Sequence, residues 1–170
     1  DVSHKKKLPL CPFHIGIITS RSGAVFHDII KTGHARNRTV QYFLFSVPVQ
    51  GKEAAAAMAD AVRRANRDCP WLDLLIIARG GGSKDDLEPF NQPVLLDAVY
   101  ESELPVISAV GHETDITLLD LTADCRASTP TQAAEIAIPE EDRILAYIRE
   151  CTGRMALAAG RSIEQKQSDA

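Results

Sequence analysis

The sequence predicts an α/β fold in three layers, with helices covering both faces of a doubly wound, mostly parallel sheet. Short apolar runs rich in β-branched residues alternate with stretches whose apolar positions recur at helical spacing. The strand candidates are almost continuously apolar, as expected of strands buried on both faces. With 170 residues, 45% of them hydrophobic, the chain suits one domain with an appended element.

Four apolar runs predict the strands of this sheet. They cover residues 14–19, 40–47, 72–78 and 104–110. Such a series, interrupted by helices, is typical of Rossmann-like and flavodoxin-like folds.

Helices are predicted between the strands. A turn at residues 20–23 with a serine N-cap opens the first, which is expected to run to about residue 31. Thr129 is a good N-cap, Pro130 suits the first helical position, and Gln132 completes a capping box. The other predicted helices cover residues 53–66, 91–102 and, as a short one, 116–121.

The last helix is predicted to begin at Pro139, where the acids at 140–142 face the positive end of its dipole. Ile144, Ile148, Cys151 and Met155 then form a weak heptad pattern. Two interpretations are open: an amphipathic helix that packs on its own domain, or the start of a longer helical, coiled-coil region. The predicted organisation is a polar linker at 1–12, an α/β domain at 13–138 and a C-terminal helical region from 139 to 170.

Charge and composition limit the function. A formal net charge of -4 and an aromatic content of 5% argue against a free-standing nucleic-acid binder with a base-stacking surface. The four cysteines form no C-x-x-C pair, which leaves zinc and redox motifs unsupported and favours a reduced, cytoplasmic setting. The leading residues, with Lys5 to Lys7, are expected to be a solvated tail or a linker that touches phosphates.

Two motifs stand where neighbouring strands end: RGGGS at 79–83 and GHETD at 111–115. The carboxyl ends of parallel strands share one edge of the sheet, where ligands bind in open α/β folds, so the motifs are expected to meet in one cleft. Glycines permit positive φ and close approach to an anion, and the Arg79 guanidinium can grip two phosphate oxygens. The spacing departs from both the dinucleotide-binding and Walker patterns, so neither a dinucleotide cofactor nor ATP is favoured.

The second motif supplies titratable groups. His112 can give or take a proton near neutral pH, and Asp115 can orient its imidazole or bind a metal. From spacing alone, Asp28 is an ordinary exposed carboxylate of the first helix. Lys31, with Arg36 and Arg38, forms a basic cluster that suits either a solvated face or a nucleic-acid backbone.

Taken together, the motifs resemble the large subunit of exodeoxyribonuclease VII, a bacterial single-strand DNA exonuclease. The similar segments are IGIITSRSGAVFHDI (15–29), PVQG (48–51), LDLLIIARGGGSKDDLEPFN (72–91), PVISAVGHETD (105–115) and ADCRASTPTQAAE (123–135). The chain departs from the family pattern at Ser22, where threonine is usual, at Lys84 and Asp85, and between residues 31 and 41.

The resemblance implies an enzyme that cuts single-stranded DNA from both ends into short oligonucleotides, with Mg²⁺ possible but not required. It implies an OB-type domain before this region and small subunits recruited through the helical region after it, so the chain is expected to be part of a longer protein. It assigns catalysis to Asp28, Arg79, His112 and Asp115. The substrate-binding residues that we predict are Ser20, Ser22, Gly80, Gly81, Gly82, Ser83, Asn91 and Gly111.

Three alternatives are consistent with the residues. Asp28, His112 and Asp115 could form a metal site within a nuclease. The same sheet could carry an enzyme acting on a nucleotide or a phosphosugar. The glycine segment could also bind phosphate only to position DNA, without catalysis.

Overall fold

A computed structural model describes residues 4–21, 24–81, 84–111 and 115–168. It contains a five-stranded, all-parallel sheet in the order β2-β1-β3-β4-β5, which confirms the predicted α/β fold. The strands are β1 (His14–Thr19), β2 (Gln41–Ser46), β3 (Leu74–Ala78), β4 (Val106–Ala109) and β5 (Cys125–Arg126). The helices are α1 (Ala24–Arg36), α2 (Ala54–Asp68), α3 (Pro93–Tyr100), α4 (Leu118–Thr122), α5 (Pro130–Ala137) and α6 (Glu141–Ser168), with a 3₁₀ helix (Lys84–Asn91) before α3.

The sheet order places a topological switch point at β1. The chain passes from β1 to β2 on one side and returns to β3 on the other, so that Ile17 pairs with both Leu44 and Ile76. The connections after β1 and β3 therefore diverge at the carboxyl edge and leave a crevice there, the place where open α/β sheets bind ligands.

The core consists of two apolar layers separated by the sheet. Alternate side chains of β3 enter opposite layers: Ile77 packs with Met58 and Leu95, whereas Ile76 packs with Ile29. All five residues of β3 have no exposed surface. Burying one such side chain contributes about 1.5–3 kcal/mol, so the central strand is a major source of stability.

The helix α1 extends five residues beyond the predicted end at Lys31. Gly33 lies within it and is buried. A side chain at this position would collide with the Tyr42 hydroxyl and the Ile138 side chain, so the packing requires glycine there. Near its C-terminus, Arg36 Nε donates a 2.7 Å hydrogen bond to the carbonyl of Ile138, just after α5. Packing against α5 and β2 thus continues a helix that the local sequence, with a glycine, does not favour.

Two elements are absent from the predicted set. β5 is only two residues long, and it is held by backbone hydrogen bonds from Asp124 N–H to Val106 and from Ala127 N–H to Ser108. The 3₁₀ helix occupies Lys84–Asn91, so α3 begins at Pro93 rather than at residue 91. β5 is too short to show an apolar period in the sequence, and the 3₁₀ helix contains Pro89, which the interior of an α-helix does not tolerate.

Some described residues of the leading segment contact the domain, whereas Lys5, Lys7 and Leu10 are exposed, and its role as a linker stays a prediction. The His4 ring stacks on Tyr100 with centroids 3.8 Å apart. Lys6 donates its backbone N–H to Asp124, and its Nζ lies 3.3 Å from the same carboxylate. These contacts hold the segment along the α3 and β5 side of the sheet.

The chain divides into two compact units, one up to Ile138 and one from Pro139 onward. In the second unit, α6 leaves Tyr147, Met155 and Leu157 more than half exposed, and both interpretations of this helix stay open. Within the described residues, none of the helices combines the length and the apolar character that crossing a membrane requires.

The Tyr42 hydroxyl provides a test of packing between β2 and α1. Its oxygen is buried without a hydrogen-bond partner, and burial raises the pKa of Tyr42 from 10.0 to about 12. A desolvated, unpaired hydroxyl is destabilising, so Tyr42→Phe should raise the free energy of unfolding by about 1 kcal/mol in urea denaturation. The exposed Tyr147→Phe is the matched control and should change nothing.

The same substitution should alter the stability of the protein in alkali. Between pH 10.0 and about 12 the unfolded chain loses the Tyr42 proton while the folded chain keeps it, so this group lowers stability as the pH rises. Tyr42→Phe should therefore lose stability less steeply across that window. An equally steep loss in the variant would contradict the assignment.

Candidate functional site

A cavity of about 390 Å³ opens at the carboxyl edge of the sheet, between α1 and α5. It brings the start of the RGGGS segment together with the end of β4 and residues of the first helix. Neither described residue of GHETD lines it, so the predicted meeting of the two motifs stays a prediction. The residues that line it are Ala24, Val25, Asp28, Arg79, Gly80, Gly81, Ala109, Val110, Ser128, Thr129 and Pro130.

Arg79 directly follows β3 and is the first polar residue after that buried strand. Its backbone N–H donates to the Ala109 carbonyl of β4, and only 6% of the residue is exposed. Its Nη2 lies 3.2 Å from Asp86 Oδ2 on the 3₁₀ helix. This ion pair fixes the direction of the guanidinium, because a charge-assisted hydrogen bond is stronger than a neutral one.

Asp86 was missed as a site residue. The sequence places an acid seven positions after Arg79, but only the unpredicted 3₁₀ helix brings that acid back to the guanidinium. A carboxylate one or two turns beyond a conspicuous arginine is the signal that would have found it.

Gly80 is required because its backbone lies close to α1, not because it adopts a backbone conformation that only glycine favours. The positive φ that glycine permits is adopted by neither Gly80 nor Gly81. A Cβ at Gly80 would lie 3.3 Å from Val25 Cγ2 of α1, whereas one at Gly81 would meet open space. Gly82 and Ser83, also predicted to bind substrate, lie outside the described residues.

Asp28 lies on α1 and lines the same cavity as Arg79. Its side chain is exposed, and it also borders a second cavity of about 470 Å³ between α1 and α5, which Lys31, Thr32 and Thr131 help to line. The structure therefore places Asp28 where a bound phosphate would reach it, although its spacing in the sequence looks like that of an ordinary surface acid.

The GHETD segment is described only at its ends, because residues 112–114, with His112, lie outside the described residues. Gly111 is buried, and the carbonyl of Asp115 lies where a Cβ of Gly111 would stand. The two described ends of the segment thus lie close together, and only glycine fits at 111. Asp115 is half-buried and does not line the cavity, so the predicted couple with His112 stays a prediction.

A buried carboxylate, Asp120, lies under this segment and was also missed. Thr117 caps α4, and a reciprocal capping box joins it to Asp120, whose Oδ2 accepts from the Thr117 N–H at 2.9 Å. Asp120 Oδ1 accepts from Ser108 Oγ of β4 at 2.6 Å. The pattern T-x-x-D over residues 117–120 is a readable capping signature, and attention to it would have found this residue.

Ser20 and Asn91, which are also predicted to bind substrate, do not line the cavity. Ser20 is half-buried just after β1, and Ser22 lies outside the described residues. Asn91 is exposed, and its Oδ1 accepts from the Leu118 N–H at 2.7 Å, which ties the 3₁₀ helix to α4. Their roles toward substrate stay predictions.

The N-terminus of α5 forms another wall of the cavity. Thr129 Oγ1 accepts from the Gln132 N–H at 3.0 Å, as the predicted N-cap requires. The Gln132 side chain reaches one residue further than a capping box, since it accepts from the Ser128 N–H. The cap therefore holds Ser128 and Thr129 at the mouth of the cavity.

Among the described residues, no three His, Cys, Asp or Glu side chains are grouped closely enough to hold a metal ion. The alternative metal site of Asp28, His112 and Asp115 includes a residue outside that part of the chain, so it stays untested.

Comparison with known proteins identifies a family. The family described as "Exonuclease VII, large subunit" matches residues 1–170. Several proteins named exodeoxyribonuclease 7 large subunit are similar to this chain. The protein of Lactobacillus delbrueckii subsp. bulgaricus is 48% identical to it over 152 residues, which cover 89% of this chain and 33% of that protein. The Ruminiclostridium cellulolyticum protein is 41% identical over 163 residues, which cover 96% of this chain and 40% of that protein. The protein of Streptococcus pyogenes serotype M5 is 49% identical over 168 residues, which cover 98% of this chain and 37% of that protein. The chain thus spans about a third of the length of these relatives.

The two described glycines of the RGGGS segment should respond differently to substitution. Val25 is buried in the core and cannot easily move, so Gly80→Ala should lower the free energy of unfolding by about 1–2 kcal/mol. Gly81→Ala meets open space and should leave it unchanged or raise it by up to about 1 kcal/mol. Urea denaturation of both variants measures the difference.

Val25→Ala supplies the control for the proposed contact. In a double-mutant cycle, Val25→Ala should restore part of the free energy of unfolding that Gly80→Ala removes. It should not alter the effect of Gly81→Ala on that free energy. A larger loss of stability at Gly81 than at Gly80 would contradict the geometry.

Proposed function

This chain belongs to the family of exonuclease VII large subunits, and from that premise we propose that it is the catalytic part of an exodeoxyribonuclease. The reaction is hydrolysis of phosphodiester bonds in single-stranded DNA, from both ends, to short oligonucleotides. One observation carries the proposal: the cavity at the carboxyl edge joins Arg79, Gly80 and Gly81 to Asp28. A cation, backbone donors and a carboxylate around one small cavity suit phosphoryl transfer.

Stabilisation of the transition state falls to Arg79 and the neighbouring glycine amides. The five-coordinate phosphorus carries more negative charge than the substrate, so preorganised donors bind it more tightly than the ground state. Asp86 holds the guanidinium in one direction at 3.2 Å, which lowers the cost of orienting it when DNA binds. The planar guanidinium of arginine is suited to bind two phosphate oxygens at once.

Proton transfer falls to His112, which activates water or protonates the leaving oxygen. Asp115 holds its tautomer, in the manner of an acid behind a catalytic imidazole. Asp28 supplies a second group for moving a proton or positioning water, from its place on the cavity wall. The chemistry needs no metal, because the positive charge comes from the arginine and the backbone donors.

The size of the site supports a single-stranded substrate. A volume of about 390 Å³ lies in the range of small-ligand pockets, roughly 300–1,000 Å³, and suits one nucleotide with its phosphates. The adjoining cavity at Lys31 and Thr131 offers a path for the next nucleotide. Because the chain carries a net charge of -4, much of the DNA affinity belongs to an OB-type domain and to small subunits in the assembled enzyme.

Substitutions at the cavity test the assignment in the complete large subunit assembled with its small subunit. Arg79→Ala and Asp28→Asn should each reduce kcat on a labelled single-stranded oligonucleotide by about 10²–10³-fold, the usual effect of removing one transition-state donor or proton-transfer group. The control is Arg63→Ala, an exposed arginine of α2 outside the cavity, which should keep wild-type kcat. Near-normal cleavage by either cavity variant would remove these roles.

Excess chelator separates the metal-free mechanism from a metal site. Initial rates of the assembled enzyme in EDTA should equal those in Mg²⁺, and competition by a mononucleotide should be weak. Loss of cleavage in EDTA that Mg²⁺ restores would favour the metal alternative. Strong competition by the mononucleotide would instead favour a small-molecule enzyme, and wild-type assemblies that bind DNA without turnover would favour a positioning module.

A further inference from the structure

We propose that Asp120 is a positioning residue that holds both described ends of the GHETD segment at the carboxyl edge of β4. The role deepens the proposed function, and it rests on it, because the segment matters to catalysis only if His112 and Asp115 act on DNA. Asp120 itself lies behind the cavity, does not line it and touches no substrate.

Asp120 is unusual in its burial. Among the acidic residues that the structure describes, it alone belongs to the buried set, and its side chain is 0% exposed. Ionised carboxylates are rarely buried to this extent unless hydrogen bonds or cations compensate the loss of water. A buried acid next to a predicted catalytic segment therefore requires a structural explanation.

The contacts of Asp120 supply that explanation. Its Oδ1 accepts from Ser108 Oγ at 2.6 Å, and its Oδ2 accepts from the N–H and Oγ1 of Thr117 at 2.9 and 3.0 Å. Arg126 Nε of β5 lies 3.8 Å from the same Oδ2. One carboxylate thus joins two strands to the residue that starts α4.

Asp120 lies against the first residue of the segment and is bonded to the chain after it. At the start, the Cβ position of Gly111 lies 3.1 Å from Asp120 Oδ2, so the backbone rests almost on the carboxylate. At the end, Thr117 is bonded to it directly, two residues after Asp115. His112 lies between Gly111 and Thr117 in the sequence, so we expect the loss of these contacts to affect catalysis.

A second carboxylate at the opposite end of β4 offers a matched control. Asp124 accepts from the Val106 N–H at 2.7 Å and from the Lys6 N–H at 2.6 Å, with 4% of its side chain exposed. It also binds β4, through the Val106 N–H rather than through a side-chain hydroxyl, and it does so at the amino edge. A purely structural role predicts similar consequences at both positions, whereas a positioning role predicts a difference in catalysis.

The experiment compares Asp120→Asn with Asp124→Asn in the assembled enzyme. An amide keeps the shape of the side chain but offers one accepting oxygen and no charge beside Arg126. For Asp120→Asn we expect kcat to fall at least 10-fold with KM within about 2-fold of wild type. For Asp124→Asn we expect wild-type kcat and KM with an equal or larger loss in Tm, because the substitution weakens two bonds from backbone N–H groups and removes the ion pair with Lys6 Nζ, all at the amino edge of the sheet. Equal kcat in the two variants would overturn the proposal.

Amide hydrogen exchange gives a readout that does not depend on nuclease activity. The amides of residues 115–118 should exchange at least 10-fold faster in Asp120→Asn and at the wild-type rate in Asp124→Asn. Faster exchange in an assembly whose wild type cleaves no DNA would support the positioning role and count against the proposed function alone. Unchanged exchange would overturn the positioning role.

Thr117→Ala keeps the experiment decisive if Asp120→Asn does not fold. This variant removes the Oγ1 contact and the N-cap of α4 but leaves the buried carboxylate and its bond from Ser108. It should show the same pattern, with faster exchange and lower kcat at constant KM. Wild-type kcat in this variant would contradict the proposal.

Discussion

Burial of β3 on both faces is the constraint on which the sheet and the cavity depend. Leu74 to Ala78 are completely buried, and β1 and β4 pair with β3 on its two sides. A strand with no exposed surface cannot slip in register without moving apolar side chains between the two core layers. Its end is therefore fixed, and Arg79 emerges at the same depth as the end of β4, to which its N–H is bonded.

The two edges of the sheet use polar groups in opposite ways. At the amino edge, carboxylates accept the N–H groups of backbone near the starting strands: Asp73 binds Phe13 and His14, and Asp124 binds Val106. These backbone N–H groups therefore have hydrogen-bond partners within the protein. At the carboxyl edge, Arg79 and the glycine backbone border a cavity that is left open. The difference explains why the chemistry of a parallel sheet concentrates at one edge.

Carboxylates also support the residues expected to do the chemistry. Asp86 directs the Arg79 guanidinium, and Asp120 joins β4 to the cap of α4. Such groups reduce the freedom of a functional side chain before a ligand arrives, which is how a site avoids the cost of reorganisation during the reaction. Their presence around two neighbouring strand ends is consistent with a site that requires fixed geometry.

By itself, the sequence determined the fold class, the bounds of β1, the end of β3 and the N-cap of α5, because each depends on local apolar period or capping chemistry. It also placed Asp28 and Arg79 as site residues through family resemblance, and the cavity contains both. Only the tertiary structure decided the length of α1, the pairing of β5 and the contacts of Asp86 and Asp120. Those features arise from packing and hydrogen bonds between segments that are far apart in the sequence. A local sequence pattern cannot predict the free energy of such contacts.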